Sequence, residues 1–522
     1  MKITGIVKKG EYFDSVSIML VAKQLSGFKE IIDSAVVMGT KENISVLKSS
    51  GLLIPDFNKA GEMDLLVVFK TEDNADVSAL LKSVDKLLKP DKDKSEDKDL
   101  NPSSLEGAVS ALEGANLAMI SIAGRYAGDV AFKALNNGLN VMLFSDNVSL
   151  EKEIELKTFA KEKGLFVMGP DCGTAIINGT PLAFANVVNR GNIGIVGASG
   201  TGLQEVSCII SNSGCGVSQA IGTGGRDVKK EVDGIMFIQG LKALADDDNT
   251  YVILLVSKPP AKEVIEKIKS EVTKINKPVV SVFLGSSPDL LFGTMIHAAS
   301  TLEEAAFLSV ALAQNKPVSS VKEVSIKQDS EIKELAKKES AKLSPEQKYL
   351  RALFSGGTFC DETQLICNEL LTDVYSNTPV GNAKKLKDSN VSQSHTIIDL
   401  GDDEFTVGKP HPMIDYSSRC KRIIDEAGDP ETAVILLDIV LGYGSNMNPL
   451  SEIIPVIRKV KEITSVHKCH LPLICSVTGT DKDPQNRTSV ITALHSEGVI
   501  VMKSNAAASR LAISIVTKGK NK

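Results

Sequence analysis

The sequence predicts an α/β protein built from doubly wound parallel sheets, and three observations support this. Short apolar segments alternate with amphipathic segments of helical period along most of the 522 residues. At residues 192–214 a buried strand runs directly into a glycine turn and a helix, and the same pattern returns at residues 349–371. A repeat of this size is typical of two homologous domains that pack pseudo-symmetrically and share a cleft.

The pattern of strands, helices and polar stretches predicts four folded units. The first is a small α/β unit of the βαβ kind, and the last is a copy of the third that carries insertions. These units comprise residues 1–88, 105–188, 190–315 and 346–518. A charged stretch with almost no apolar residues, 89–104, predicts an exposed linker. The Lys/Glu-rich segment 315–347 predicts a second, partly helical linker.

Composition disfavours several classes of partner and compartment. With 59 basic and 65 acidic residues and a net charge of −6, nucleic acid and anionic membranes are disfavoured as main partners. Aromatic residues are only 4% and Trp is absent, so platforms for base stacking are scarce. No apolar run approaches the roughly 20 residues that cross a bilayer, and the start lacks a signal-peptide core. Eight scattered cysteines indicate a reducing, cytoplasmic location.

The strand–turn–helix at residues 197–202 is the strongest local candidate for an anion-binding site. Free backbone N–H groups and the positive end of the helix point at one spot after such a turn. A hydroxyl there can cap the helix and also donate to the anion. The alternative is an ordinary tight turn, since the lysine of a nucleotide P-loop is missing. The candidate residues are Ser199, Gly200, Thr201 and Gly202.

Two further glycine turns follow buried strands in the second copy of the repeat. The first contains Ser355, Gly356, Gly357 and Thr358, and the second contains Gly444, Ser445 and Asn446. In open α/β sheets ligands bind beyond the carboxyl ends of the strands, where such turns lie. The sequence therefore predicts that two or three helix starts converge on one cleft and hold a small, highly charged ligand.

A polar loop of unusual composition, residues 408–419, is a second candidate. His411 stands between two prolines, with Asp415 and Arg419 close by. A His–Asp pair with an arginine predicts an oriented proton donor and a carboxylate clamp, although a rigid loop with a solvated arginine is the alternative. The acidic turn just before this loop could bind Mg²⁺, but a solvated loop is favoured. That turn contains Asp399, Asp402, Asp403 and Glu404.

Other reactive residue types give weaker signals. Cys172 follows Asp171 at a strand end, but no histidine is near in sequence to act as its base, so a nucleophilic role is disfavoured. A cluster near the end of the chain could pass for a metal site, yet its spacing fits no standard zinc pattern. Its members are His467, Cys469, His470 and Cys475. We therefore predict no metal site.

Residues 168–184, followed by 192–206, resemble the α subunit of succinyl-CoA synthetases, and residues 433–502 are similar to the carboxyl-terminal domain of their β subunit. The resemblance implies a succinyl-CoA synthetase-like fold, in which a small N-terminal α/β unit is followed by three domains. These would be a Rossmann-like, CoA-binding-type domain at 105–188 and two flavodoxin-like, doubly wound ligase domains at 190–315 and 346–518.

Three motifs, at residues 197–205, 221–227 and 409–419, more closely resemble the FdrA family. That resemblance implies a subunit of an oxamate carbamoyltransferase, which interconverts oxalurate plus phosphate with oxamate plus carbamoyl phosphate in anaerobic purine and allantoin breakdown. It implies that no cofactor is needed. It also implies partner subunits, and substrates that combine phosphate or carbamoyl phosphate with a small amido acid. The glycine turns would hold phosphate, and Arg226, His411 and Arg419 would orient the substrate.

Two alternatives stay open: an acyl-CoA synthetase component that uses CoA, ATP and Mg²⁺, and a non-catalytic scaffold that binds a metabolite. The chain departs from true synthetases, because we find no ATP-grasp domain. The phosphohistidine segment Gly-His-Ala-Gly is replaced by residues 295–300 around His297. Lys258 stands where the synthetases have a glutamate that orients the histidine. These differences favour a protein that kept a phosphate cleft without the phosphohistidine relay.

Overall fold

The computed structural model describes residues 2–11, 13, 15–28, 30–72, 75–88, 102, 104–291, 293–368, 370–406 and 409–518. These residues form four sheets, two of three strands and two of seven. Most of the predicted linker at 89–104 lies outside the described residues. Within the described ranges, no helix combines the length and apolarity that crossing a membrane requires.

The first unit is a three-stranded antiparallel sheet with helices. Its elements are β1 (Lys2–Lys8), α1 (Ser15–Ser26), β2 (Ile31–Met38), α2 (Lys41–Ser49), a 3₁₀ turn (Pro55–Lys59), β3 (Leu65–Thr71) and α3 (Val77–Leu88). β3 lies between β1 and β2 and is antiparallel to both, so the simple βαβ arrangement was wrong. β3 takes the centre because both its faces are apolar: Val67 packs in one core and Val68 in the other.

The second unit is a small parallel sheet in the order β4-β5-β6. It consists of α4 (Leu105–Ala111), β4 (Leu117–Ile120), α5 (Gly124–Asn136), β5 (Asn140–Leu143), α6 (Leu150–Glu162) and β6 (Val167–Met168). The hairpin that follows, β7 (Thr174–Ile177) and β8 (Thr180–Ala183), pairs with the next sheet instead. The residues of this hairpin, which the sequence groups with 105–188, are thus part of the following sheet.

The third unit contains a seven-stranded sheet in the order β13-β12-β11-β9-β10-β7-β8. Its elements are β9 (Arg190–Gly197), α7 (Gly200–Asn212), β10 (Val217–Gly222), α8 (Ile235–Asp246), β11 (Val252–Ser257), α9 (Lys262–Val272), β12 (Val279–Phe283), a 3₁₀ turn (Pro288–Leu291), β13 (Ile296–Ala299) and α10 (Leu302–Ala313). The strands β9 to β13 are parallel, and β9 lies between β10 and β11. This order is that of a flavodoxin-like, doubly wound sheet, which confirms the predicted fold class.

The segment between the two large units, predicted to be a partly helical linker, contains a long helix that packs against the protein. It forms α11 (Ser319–Ser340), of 22 residues. Val321, Ile332 and Ala336 are buried on one face of this helix. Their spacing brings them to the same side of a helix of 3.6 residues per turn. The many Lys and Glu residues lie mainly on the other faces of the helix, and they concealed this apolar stripe in the sequence.

The fourth unit repeats the third around a seven-stranded parallel sheet in the order β16-β15-β17-β14-β18-β19-β20. It consists of β14 (Tyr349–Phe354), α12 (Gly357–Asn368), β15 (Val374–Ser376), β16 (Lys384–Lys385), β17 (His395–Asp399), α13 (Asp403–Thr406), α14 (Ser417–Ala427), β18 (Thr432–Val440), α15 (Pro449–His467), β19 (Leu473–Thr478), α16 (Arg487–Ser496), β20 (Ile500–Met502) and α17 (Asn505–Val516). The insertion at 376–390 extends the sheet edge as β16.

The third and fourth units share one hydrophobic core. Leu203 and Val206 of α7, Phe359 of α12 and Leu511 of α17 all belong to a single buried cluster. Burying such apolar faces against each other is the main favourable contribution to this packing. As a consequence α7 and α12 lie side by side, and their N-termini open toward the same region.

Candidate functional site

A cavity of about 350 Å³ opens where the first turns of α7 and α12 meet. Gly200 and Thr201 line it from α7, while Gly357 and Thr358 line it from α12. The first helix starts of the two repeat copies therefore do converge on one cleft. The volume lies at the lower end of the roughly 300–1,000 Å³ that small-molecule sites occupy.

Ser199 joins the two helix starts. Its Oγ accepts a hydrogen bond from the N–H of Gly202 at 3.1 Å and lies 2.7 Å from Oγ1 of Thr358. A Cβ added at Gly202 would lie 2.6 Å from that same Oγ, and one at Gly356 would lie 2.5 Å from Cγ2 of Thr201. Gly202 thus leaves room for the cap of its own helix, and Gly356 for the close approach of the two turns.

The cavity wall offers hydrogen-bond donors. The first N–H groups of a helix have no partners within the helix, and its dipole places partial positive charge there. Thr174 also lines the cavity: the residue is 2% exposed, and no described residue hydrogen-bonds to its buried Oγ1. A Cβ at Gly200 would lie 3.6 Å from that oxygen. Such a wall suits a small tetrahedral anion.

Lys258 adds a full positive charge to the cavity. It directly follows β11, lines the cavity, and its Nζ lies 2.6 Å from Oδ2 of Asp361. Burial lowers the pKa of Lys258, but the Asp361 carboxylate outweighs this and the pKa lies above its ordinary value. The ammonium is therefore charged at neutral pH. Sequence reasoning missed Lys258 as a site residue, although a lysine directly after a buried strand, at the edge where ligands bind, was an available signal.

Two aspartates near the cavity have raised pKa values. A Cβ at Gly357 would lie 2.7 Å from Oδ2 of Asp399. Burial, helped by Asp361, raises the pKa of Asp399 to about 7. The side chain of Asp171 lines the cavity and is exposed within it. Because protein surrounds the cleft, the carboxylate is nevertheless partly removed from bulk water. Burial, with the neighbouring Asp146, raises the pKa of Asp171 to about 6.

Arg226 lies beside the cavity but is directed elsewhere. Its Nε lies 2.8 Å from Oε2 of Glu153, and its Nη2 donates to the carbonyl oxygen of Val148 at 2.8 Å. Gly224 and Gly225, just before it, line the cavity. The structure corrects the prediction for Arg226: the guanidinium anchors the glycine loop to α6 rather than lining the site.

Arg419 cannot contact a substrate because it is completely buried. Its Nη1 donates to Oδ1 of Asp438 at 2.8 Å, and its guanidinium stacks 4.1 Å from the ring centre of Tyr416. Asp438 in turn accepts hydrogen bonds from the N–H and Oγ of Ser355, at 2.9 and 2.6 Å. The predicted carboxylate clamp is therefore corrected to an internal ion pair that supports the strand end before α12. Ser355 is likewise buried and lies behind the cavity.

The predicted pair of His411 and Asp415 is not formed. Nδ1 of His411 accepts a hydrogen bond from the N–H of Met413 at 3.2 Å, which leaves the ring proton on Nε2. Oδ1 of Asp415 instead accepts from the N–H of Ser417 at 2.7 Å, at the start of α14. The reason is the tight turn after the second proline, in which each of the two side chains accepts a hydrogen bond from a nearby backbone N–H.

His411 is a neutral residue next to the cleft. Burial and the charge of Arg419 lower its pKa to about 4. Its ring lies 5.9 Å from that of Phe184, and a Cβ at Gly401 would lie 2.9 Å from Nε2. His411 does not line the cavity. A direct catalytic role for His411 therefore stays a prediction.

The third predicted turn does not reach the cavity. A Cβ at Gly444 would lie 2.8 Å from the ring of Phe184 and 2.9 Å from the carbonyl oxygen of Ala183, so this glycine packs against the end of β8. Ser445 and Asn446 are buried, and Nδ2 of Asn446 donates to Oε1 of Glu452 at 2.7 Å. The turn is fixed by its own protein contacts, so we remove these three residues from the candidate site.

His297 lies in a strand and not in a loop. It belongs to β13 at the edge of the sheet and pairs in register with Val280 of β12. The swinging loop of a phosphohistidine is absent at this position. Pairing within a strand is a poor setting for a residue that must move between two sites.

The cysteines of the described ranges are not arranged as metal ligands. Burial raises the pKa of the Cys172 thiol to about 12, so it is protonated at neutral pH. Among the residues that the structure describes, no group of three or more His, Cys, Asp or Glu side chains could hold a metal ion. His470 instead binds Glu339 of α11 at 2.6 Å, and Cys475 is buried in β19.

Three family models match the chain and define its class. The model described as CoA-ligase matches residues 353–515, and the CoA binding domain model matches residues 188–285. A third, described as AllF, heavy metal-associated domain, matches residues 1–103. The fold and these domains define a succinyl-CoA synthetase-like protein of mixed α/β architecture. The CoA-binding match falls on the unit predicted to be the first ligase domain, and not on 105–188.

The chain belongs to the same family as the uncharacterized protein YahF of Escherichia coli K12, with 42% identity over 519 residues that cover 99% of each protein. It is 27% identical over 176 residues to alpha subunit 2 of the ADP-forming succinate–CoA ligase of Archaeoglobus fulgidus. It is 26% identical over 181 residues to SauD, an ADP-forming sulfoacetate-CoA ligase subunit of Bilophila wadsworthia. Each of these two alignments covers 33% of this chain and 59% of the subunit.

Among solved structures, a dinucleotide-forming acetyl-coenzyme A synthetase 1 of Ca. Korarchaeum cryptofilum, in complex with phosphate and ADP, overlaps 79% of this chain and 84% of its own. The TM-score is 0.33 and the identity 15%.

The N-terminal unit does not fit a heavy metal ion. Residues 1–103 contain neither cysteine nor histidine, since the first cysteine is Cys172 and the first histidine is His297. Soft and borderline metals prefer thiolate and imidazole ligands. This unit instead contacts the rest of the chain: Nζ of Lys23 lies 2.8 Å from Oε1 of Glu452 and donates to the carbonyl oxygen of Ile414 at 2.6 Å.

Proposed function

We propose that this chain is a subunit of an oxamate carbamoyltransferase, in which the cavity between α7 and α12 holds phosphate. The observation that carries the proposal is the hydrogen bond between Ser199 and Thr358, which holds two helix starts at one cavity beside the ammonium of Lys258. Two helix N-termini and a cation form a strong site for a multiply charged anion.

The reaction needs little beyond positioning and charge stabilisation. A phosphate oxygen attacks the carbamoyl carbon of oxalurate, and the bond from that carbon to the oxamate nitrogen breaks. The proton that phosphate loses passes to this nitrogen, so that carbamoyl phosphate and oxamate are formed. Helix N–H groups and Lys258 would stabilise the negative charge on the phosphate oxygens during this transfer.

One further observation supports carbamoyl transfer. His297 is fixed in a paired strand, whereas transfer of a carbamoyl group to phosphate requires no phosphohistidine. The buried Arg419 leaves the carboxylate of oxalurate without the predicted clamp, and we assign that contact to a partner subunit at the open side of the cavity.

An acid–thiol ligase component is the second candidate. The matches to the CoA-ligase and CoA binding models favour it, as do relatives that are named ligase subunits. The same cavity would then hold the phosphoryl group of an acyl phosphate at Gly200, Thr358 and Lys258. CoA, when bound, supplies the thiol that accepts the acyl group.

The test is a reaction of the chain, purified with the subunits that accompany it, with oxalurate and phosphate in the absence of CoA and ATP. We expect carbamoyl phosphate to form, and the Thr358→Val variant to lose this activity while the complex still assembles. The Ser104→Ala variant, which loses the cap of α4, is the matched control, because no residue of α4 lines the cavity. Thioester formation that requires CoA and ATP, with label on His297, would instead establish the ligase.

A further inference from the structure

Asp171 places a negatively charged carboxylate in a cavity whose helix starts carry partial positive charge. It lines the same cavity as Gly200 and Thr358 and is exposed within it. No described residue donates a hydrogen bond to its carboxylate. A ligand that presented only anionic oxygens would be repelled by this residue. The cavity is therefore matched to a ligand with oxygens at one end and N–H donors at the other.

We propose that Asp171 recognises the amino group of carbamoyl phosphate, while the helix starts and Lys258 hold its phosphate. This inference rests on the proposed function and identifies the residue that distinguishes a carbamoyl from an acyl phosphate. The amino group of a carbamoyl differs from the methyl group of an acetyl by its hydrogen-bond donors. An acceptor that faces the ligand in a cavity and has no protein partner discriminates between such analogues.

The surroundings of Asp171 support this role. Its pKa of about 6, raised by burial and by Asp146 and Asp403, leaves the carboxylate charged and able to accept hydrogen bonds at neutral pH. Arg226 acts in the opposite direction and stabilises the charge. Thr174, whose buried hydroxyl has no hydrogen-bond partner among the described residues, lines the cavity as an independent sign of a ligand there.

The test uses the full chain and calorimetric titration at pH 7.5 with phosphate, acetyl phosphate and carbamoyl phosphate. The wild type is expected to bind carbamoyl phosphate about 10-fold more tightly than acetyl phosphate. In Asp171→Asn this ratio should fall to about 1–3, with phosphate affinity kept or increased because a negative charge is removed. Asparagine suits the site because the backbone of Asp171 has φ 55°, a conformation that Asn tolerates.

Asp403→Asn is the matched control, since it removes a nearby negative charge that does not line the cavity. It should keep the wild-type ratio. Equal affinity of the wild type for the two acyl phosphates, with phosphate still bound, would overturn the role of Asp171 and leave the phosphate site intact. Absence of phosphate binding by the wild type would overturn the proposed site and this inference together.

Discussion

Oγ of Ser199 and Oγ1 of Thr358 lie 2.7 Å apart and join the helix starts of the two repeat copies. Ser199 caps α7, whereas Thr358 lies in the first turn of α12. One hydrogen bond thus connects the packing of the two units to the shape of the cavity that they share. Both hydroxyls also remain within reach of a ligand at the helix ends, because Ser199 and Thr358 line the cavity.

The first prediction concerns Ser199→Ala. The change removes the cap of α7 and the link to Thr358. Loss of an N-cap costs about 1 kcal/mol of unfolding free energy. Phosphate affinity should fall about 10-fold, since a donor at the helix start is lost. Denaturant unfolding and calorimetric titration with phosphate measure the two effects.

Ser104→Ala is the control for this change, because Ser104 caps α4, away from the cavity, through the N–H of Gly107 at 3.0 Å. It should lower stability by a similar amount and leave phosphate affinity unchanged. Equal phosphate affinities in the two variants would show that the α7 cap has only a structural role.

The second prediction is that Lys258→Met weakens phosphate binding by about 10- to 100-fold, the range expected when a charged hydrogen-bond partner is lost. Asp361 would also lose its partner, so its pKa, already raised by burial, should rise further. Calorimetry at two salt concentrations should show a weaker salt dependence in the variant. Lys267→Met, which breaks an exposed ion pair with Asp233, is the control and should bind phosphate normally. Unchanged affinity in both variants would exclude Lys258 from the site.

The local part of the site could be predicted from sequence. A buried strand, a glycine turn and a helix have a signature of a few residues, so Gly200, Thr201, Gly357 and Thr358 were identified correctly as lining one cleft. The doubly wound order of the sheets followed from the same repeated pattern.

The remaining parts depend on tertiary packing, which sequence spacing does not reveal. Arg419 is neutralised by Asp438 on β18, and the sequence contains nothing that distinguishes this arginine from a solvated one. The turn at Gly444 is covered by Phe184 from a hairpin about 260 residues earlier. From the sequence, Lys258 could be identified only as a lysine in place of a glutamate of the synthetases. Its position next to Thr358 could not be predicted, because the packing of two domains sets it.

The third prediction concerns pH. The folded-state pKa of Asp399 is raised from 3.8 to about 7, first by burial and then by Asp361 and Asp402, with Lys258 opposing. The folded protein therefore binds this proton more tightly than the unfolded chain. Unfolding free energy should fall as pH rises from about 4 to about 7, and level off above.

Asp399→Asn should flatten this fall and stabilise the protein at pH 8 by up to about 4 kcal/mol, with no gain below pH 4. Denaturant unfolding between pH 4 and 8 measures the difference. Asp373→Asn is the control, because its pKa is lowered by Lys384 and its contribution is lost only as the pH falls. A variant curve parallel to the wild type would contradict the assignment.

The fourth prediction is that Lys23→Ala loosens the loop that contains His411. Lys23 contacts Glu452 and the carbonyl oxygen of Ile414, and Glu452 also accepts from the N–H of Tyr416 at 2.9 Å. Amide hydrogen exchange at residues 411–416 should become several-fold faster, since local opening no longer breaks these contacts. Lys82→Ala, on the exposed side of α3, should leave the exchange unchanged. Equal rates in both variants would show that the N-terminal unit does not restrain the loop.

The last prediction separates a structural role for Arg419 from a substrate contact. Arg419→Met leaves Asp438 buried without its cation, and breaking such a pair costs about 3–5 kcal/mol. Since Asp438 also holds the N–H and Oγ of Ser355, the start of α12 should loosen and phosphate affinity should fall as a consequence. Lys421→Met, on the exposed face of the same helix, should change stability by less than about 0.5 kcal/mol. A variant of Arg419 with wild-type stability but no turnover would restore the arginine as a substrate clamp, and denaturant unfolding alongside the carbamoyl phosphate assay distinguishes the two outcomes.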